Sequence, residues 1–162
     1  MALRKNEIGA VLQGVGMQRD VLLEIVKQHQ FTSHFSLDKV NDQNATLRLN
    51  DGTASIGFIY RHIGETMNLF GQFLGVPTDV KNTTIGEIDN GQHFDTAVSR
   101  ELIDRGYRML QSVVETNTDE SWLEPVETPF FGPISRARMF AHVLFHTSHH
   151  TGQISLTLSK GK

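Results

Sequence analysis

Apolar positions recur at helical spacing in four stretches of the chain. In residues 6–29, Ile8, Val11, Leu12, Val15, Leu22 and Val26 follow the i, i+3, i+4, i+7 pattern of one buried helix face. Gly14 and Gly16 weaken this helix by about 1 kcal/mol each relative to alanine. A second helix is predicted from Ser55, a good N-cap, to Leu74, with Ile56, Ile59, Ile63, Phe70 and Phe73 on its apolar face. Gly75 and Pro77 stop it. The third runs over residues 95–115 on Val98, Leu102, Leu110 and Val113, and the fourth over residues 135–159 on Met139, Val143 and Ile154.

Between these stretches the chain is polar. Residues 31–54 contain Asn41, Asp42, Asn44 and the turn signal Asn50-Asp51-Gly52, a connection long enough to be a bundle crossover. Within it, Ala45 to Leu49 alternates with the period of a strand but has no partner strand, so it reads as extended connector. Residues 117–132 form a loop carrying Pro125 and Pro129, with Pro133 just after it. There is no repeat, low-complexity segment or domain boundary. The expectation is an all-α four-helix bundle in one domain, residues 1–162.

Composition narrows the chemistry. A charged fraction of 20% and a net charge of -3 give no reason to expect nucleic acid or an acidic membrane as partner. No apolar run resembles a signal peptide or approaches the roughly 20 residues of a membrane span, so a cytoplasmic protein is expected. The absence of cysteine removes disulfides, thiolate zinc sites and a cysteine nucleophile.

Histidine stands out instead. Four of the eight lie between His142 and His150. His146 and His150 are four apart, on the same helix face as Met139, Val143 and Ile154, so their imidazoles can converge on one point. His62 sits on the inward face of the second helix beside Ile59 and Ile63. One inward histidine is usually a hydrogen-bonded core residue. Three on two helices are better explained by a shared cation, because each unpaired buried polar group costs roughly 1–3 kcal/mol. Three imidazoles with a fourth position open describe a reactive zinc-type site.

Other ligand sets remain open at this point. His142 pairs with His146 at i,i+4, and His149 lies at i+3, both flanking the inward stripe. Glu65, three residues after His62, is a fourth ligand, an acceptor behind His62, the proton acceptor of a catalytic step, or a solvated charge. Trp122, in an acidic loop, reads as a cap over the core or a gate to a pocket. Arg136 and Arg138 read as surface charge or an anion contact, against the helix dipole. Two Glu-x-x-His motifs, H-E-x-x-H, a P-loop and G-x-S-x-G are all missing, and Gly14-Val15-Gly16 lacks the rest of a dinucleotide fingerprint.

The run His142-Val143-Leu144-Phe145-His146-Thr147-Ser148-His149-His150-Thr151-Gly152-Gln153 resembles the signature of the DinB-like (damage-inducible B, YfiT-like) superfamily, in which H-x-x-x-H followed by x-G-Q closes a metal site. Ser55-Ile56-Gly57-Phe58-Ile59-Tyr60-Arg61-His62-Ile63 is similar to the start of that family's second helix. The resemblance implies an up-down-down-up bundle and one divalent metal, nickel or zinc, held by His62, His146 and His150. It also implies a homodimer. Thr151 stands where many relatives carry arginine. Members with assigned activities include thiol-dependent transferases and isomerases. The implied function is a metal-dependent hydrolase or a transferase using a low-molecular-weight thiol on a small-molecule substrate. The alternative is a non-catalytic stress-response or ligand-binding bundle with a structural metal.

Overall fold

A computed structural model describes residues 5–162, with side chains from residue 16 onward. Helix α1 spans Lys5–Leu37, α2 Ile56–Gly71, α3 Thr96–Thr116 and α4 Arg136–Lys160. The side chains of Ile8, Val11, Leu12 and Val15 lie outside the described residues.

Three of the four helices begin where a side chain can cap them. The Ser55 hydroxyl accepts from Phe58 N, the Asp95 carboxylate from Ala97 N and Val98 N, and the Ser135 hydroxyl from Arg138 N. At its far end α2 tightens into a 3-10 turn, Gln72–Leu74, and closes on Gly75 at φ 88°, a left-handed conformation that favours glycine.

Helix α1 runs past the expected end at residue 29 to Leu37. Its inward stripe continues through Val26, Ser33 and Leu37, all buried. A serine at an inward position hides that stripe from a hydrophobicity pattern, while Phe31 and Phe35 project outward. His29 belongs to the same stripe. Its Nε2 lies 2.9 Å from both Leu144 O and Ser148 Oγ, and its Nδ1 3.0 Å from the Tyr107 hydroxyl.

Contacts along the helices fix their directions. Rising numbers meet rising numbers between α2 and α3: a Cβ on Gly64 would lie 2.7 Å from Leu102 Cβ, one on Gly106 2.6 Å from Met67 Cβ, and one on Gly71 3.2 Å from the Met109 side chain. These helices are therefore parallel, held close by glycine on both sides. Between α2 and α4 the order reverses, His62 meeting His150 and Phe70 meeting His142. Helix α1 is antiparallel to α3, with His29 against Tyr107 and Asp38, just beyond its end, against Arg100. The result is up-down-down-up.

Parallel neighbours need a connection that travels back along the bundle. Residues 75–95 supply it. Thr83 and Thr84 bond Glu65, Asp89 bonds the Ser55 amide and hydroxyl, and Phe94 packs on Phe58. The segment thus climbs α2 in reverse. The Arg48–Asp89 ion pair, 2.8 Å, ties it to the first connector.

Other expectations change as well. Val98 is 49% exposed, and Ser99 and Ile103 face the core in its place, because the close α2–α3 approach selects the side bearing serine and Gly106. The loop before α4 contains a two-residue ribbon, Pro125–Val126 (β1) paired antiparallel with Ile134–Ser135 (β2), too short to show an alternating pattern. Residues 45–49 form no strand; Arg48 exchanges backbone hydrogen bonds with Lys162, beyond α4. Trp122 is buried edge-on against Phe140 as a cap over the core. Arg136 is an anchor, its guanidinium donating to Leu74 O and Ser121 O. No described helix is long and apolar enough to cross a membrane.

Candidate metal centre

Antiparallel packing of α2 on α4 sets His62 opposite His146 and His150. His62 Nε2 and His150 Nε2 each lie 3.2 Å from His146 Nε2. The three ligand atoms all fall within 4.8 Å of one another. Two imidazole nitrogens on one tetrahedral ion at about 2.0–2.1 Å would be about 3.3 Å apart.

On His62 and His150 the outer ring nitrogens have partners that settle which inner nitrogens are free. The Thr84 hydroxyl donates to Glu65 Oε2 at 2.7 Å, so its oxygen accepts from His62 Nδ1 at 3.3 Å. His150 Nδ1 donates to Gln153 Oε1 at 2.7 Å. Both rings therefore aim an Nε2 lone pair inward. A hydrogen on His146 Nε2 can satisfy one of them and leaves the other opposed. A cation satisfies all three, and the donor set fits a divalent ion.

Electrostatics agree with this arrangement. Burial, helped by the neighbouring His150, pushes His62 down to about 4. Burial and the surrounding histidines push His146 down to about 3. Burial also lowers His150, against the hydrogen bond to Gln153. All three rings are neutral at pH 7, the state in which imidazole ligates.

Glu65 stands apart from the converging nitrogens. It is fully buried, and its Oε1 accepts from Arg61 Nε at 2.7 Å and Thr83 Oγ1 at 2.6 Å. Oε2 accepts from Thr83 N at 2.8 Å and from Thr84. Burial would raise its pKa, but these hydrogen bonds outweigh burial and hold it below the usual range. The geometry therefore makes Glu65 an anchor acting on His62 through Thr84, where sequence spacing also offered it as a proton acceptor.

His142 and His149 flank the centre, as the stripe requires. His142 stacks on Phe70 at 5.6 Å, and His149 Nε2 lies 3.2 Å from Gln153 Nε2. Thr151 is buried on the side of α4 toward α1, away from the three rings. Sequence reasoning did not reach Thr83 and Thr84, which lie about twenty residues from His62. The role of Gln153 was within reach, since i+3 from His150 is a same-face spacing.

The model of the DinB superfamily matches residues 18–154. The chain belongs to the DinB superfamily. Solved structures with the same fold include a DinB-like protein from Bacillus cereus ATCC 10987, 19% identical with TM-score 0.64 over 85% of this chain and 89% of that one. YfiT from Bacillus subtilis, described as a probable metal-dependent hydrolase with an unusual four-helix bundle topology, is 15% identical with TM-score 0.66 over 98% and 90%. A conserved protein from Enterococcus faecalis is 12% identical with TM-score 0.65 over 87% and 97%. At these identities the likeness speaks for the DinB fold alone. No curated protein matches the chain.

Proposed function

We propose that this DinB-superfamily protein is a metal-dependent enzyme, a hydrolase or a thiol S-transferase, acting on a small molecule through His62, His146 and His150. The observation that carries the reading is the inward convergence of the three neutral rings' Nε2 atoms, with the outer nitrogens of His62 and His150 already engaged. The YfiT likeness is consistent with it. Imidazole donors suit nickel and zinc.

When bound, the ion supplies Lewis acidity to a water or to a substrate thiol, including a low-molecular-weight thiol cofactor. The chain's residues do the positioning. Thr84 and Gln153 hold two rings in the ligating tautomer, and Glu65 with Arg61 fixes Thr84 from behind. With these three histidines as its protein ligands, a bound ion would keep a position open for the reactant.

A homodimer is part of the proposal. Exposed Val21 and Ile25 of α1 and Phe145 of α4 line a groove of about 580 Å³, an apolar surface suited to a second copy. Neither nucleic acid nor a membrane is proposed as partner, and the cytoplasm is the proposed location.

The test is elemental analysis of tag-free protein purified without chelator, followed by hydrolase and thiol-transfer screens with and without metal. About one equivalent of nickel or zinc with metal-dependent turnover is expected. Metal-dependent stability without turnover would favour a structural ion instead.

A further inference from the structure

The ribbon before α4 does more than join two helices. Its tip is a preorganised turn: Thr128 N and Oγ1 both donate to Gly132 O, and Phe131 N donates to Thr128 Oγ1. Gly132 has φ 63°, the left-handed conformation that lets the turn close. This turn presents two adjacent phenylalanines, Phe130 at 55% and Phe131 at 47% exposed. Large apolar side chains left half in water on a braced turn ask for a purpose.

Their neighbours supply one. Phe131 meets the His142 ring edge-on at 4.8 Å, and Phe130 lies 5.6 Å from Phe70. Phe70 stacks on His142 at 5.6 Å, and both lie beside His146, at 6.2 and 5.8 Å. A chain of ring contacts therefore leads from the hairpin tip through Phe131 and His142 to His146, with the buried Phe70 packed beneath it. On the opposite side of the centre, His149 and Gln153 present polar groups. The approach to the centre is apolar and flat-walled on one side and polar on the other.

The geometry points to a specificity subsite: Phe130, Phe131 and His142, backed by the buried Phe70, receive a flat, aromatic portion of the substrate while its polar atom meets the metal. This inference rests on the metal reading above. Aromatic rings prefer offset or edge-to-face partners at centroid distances of about 4.5–7 Å, and the four side chains already pack within that range. A planar group is the shape that extends such a cluster. A methyl-sized group in the same place touches far less of it. The hairpin, being surface-exposed, sets this preference without altering the histidines.

The experiment uses the full-length protein loaded with cobalt(II), whose visible absorption reports ligand exchange at the metal. Benzohydroxamate and acetohydroxamate share a metal-binding group and differ in the presence of a ring. Benzohydroxamate is expected to bind about tenfold more tightly. In a Phe130→Ala, Phe131→Ala double variant the preference should fall to near unity, chiefly through loss of benzohydroxamate affinity. Equal affinities in the cobalt-loaded wild type, or a preference that survives in the double variant, would overturn the subsite and leave the metal reading standing. Failure of the wild type to develop the cobalt spectrum would overturn the metal reading, and the subsite with it.

Discussion

The hydroxyl of Thr84 lies 3.3 Å from Nδ1 of His62. Because the same hydroxyl donates to the buried Glu65, it can only accept from the imidazole, and that leaves Nε2 free to face the centre. The tautomer of His62 is thus set by a crossover loop packed behind α2.

Replacing Thr84 with valine keeps the shape and removes this acceptor. Metal affinity should weaken about 10–100-fold, the usual effect of losing an outer partner of a ligating histidine. Competition titration against a chelator would measure it. Unchanged affinity would show that His62 is oriented by packing alone.

His146→Ala removes the ring that lies 3.2 Å from both of the others. Bound metal should fall from about one equivalent to none, and the stabilisation that added metal gives the wild type should vanish. Elemental analysis and thermal melts with and without metal would check both. A variant that keeps its metal would point to a different ligand set.

Glu65→Leu tests the anchor. Removing a fully buried carboxylate strands the mostly buried Arg61 and the hydroxyls of Thr83 and Thr84. A loss of about 3 kcal/mol is expected, near the low end for breaking a buried pair because Arg61 keeps some solvent. Urea unfolding of metal-free protein would measure it, separating this effect from any loss of ligation.

Gly106→Ala tests the close parallel contact. The new Cβ would fall 2.6 Å from Met67 Cβ, so α2 and α3 must move apart. A destabilisation of roughly 1–3 kcal/mol is expected from such overpacking. Gly152, where a Cβ would meet nothing within 4 Å, provides the control; alanine there should be neutral or slightly stabilising in urea unfolding.

Acid should destabilise the metal-free protein. His62 titrates at about 4 and His146 at about 3 in the fold, against about 6.5 in the unfolded chain. Between those limits the unfolded state binds more protons, so stability falls as pH drops below about 6.5 and this contribution levels off near 3. Urea midpoints of chelator-treated protein at pH 7.5 and 5.0 would show the fall. The slope should be shallower in His146→Ala.

The sequence by itself determined the elements whose causes are local. Ser55, Asp95 and Ser135 mark the starts of α2, α3 and α4 because a cap bonds amides two or three residues ahead. Gly75 marks the stop after α2 because only its own φ is at issue. The convergence of His146 and His150 was legible for the same reason: four residues on a helix is one turn. Tertiary structure decided what depends on which surfaces meet. It carried α1 on to Leu37 through the inward Ser33, turned Val98 outward in favour of Ser99, and brought Thr84 to His62 by a crossover that two parallel helices require. It also set Phe131 on His142 from a ribbon two residues wide. A cap or a helical repeat is encoded within a turn or two of chain. A neighbour across the bundle is selected by burial and close packing of segments far apart in sequence, which no local pattern records.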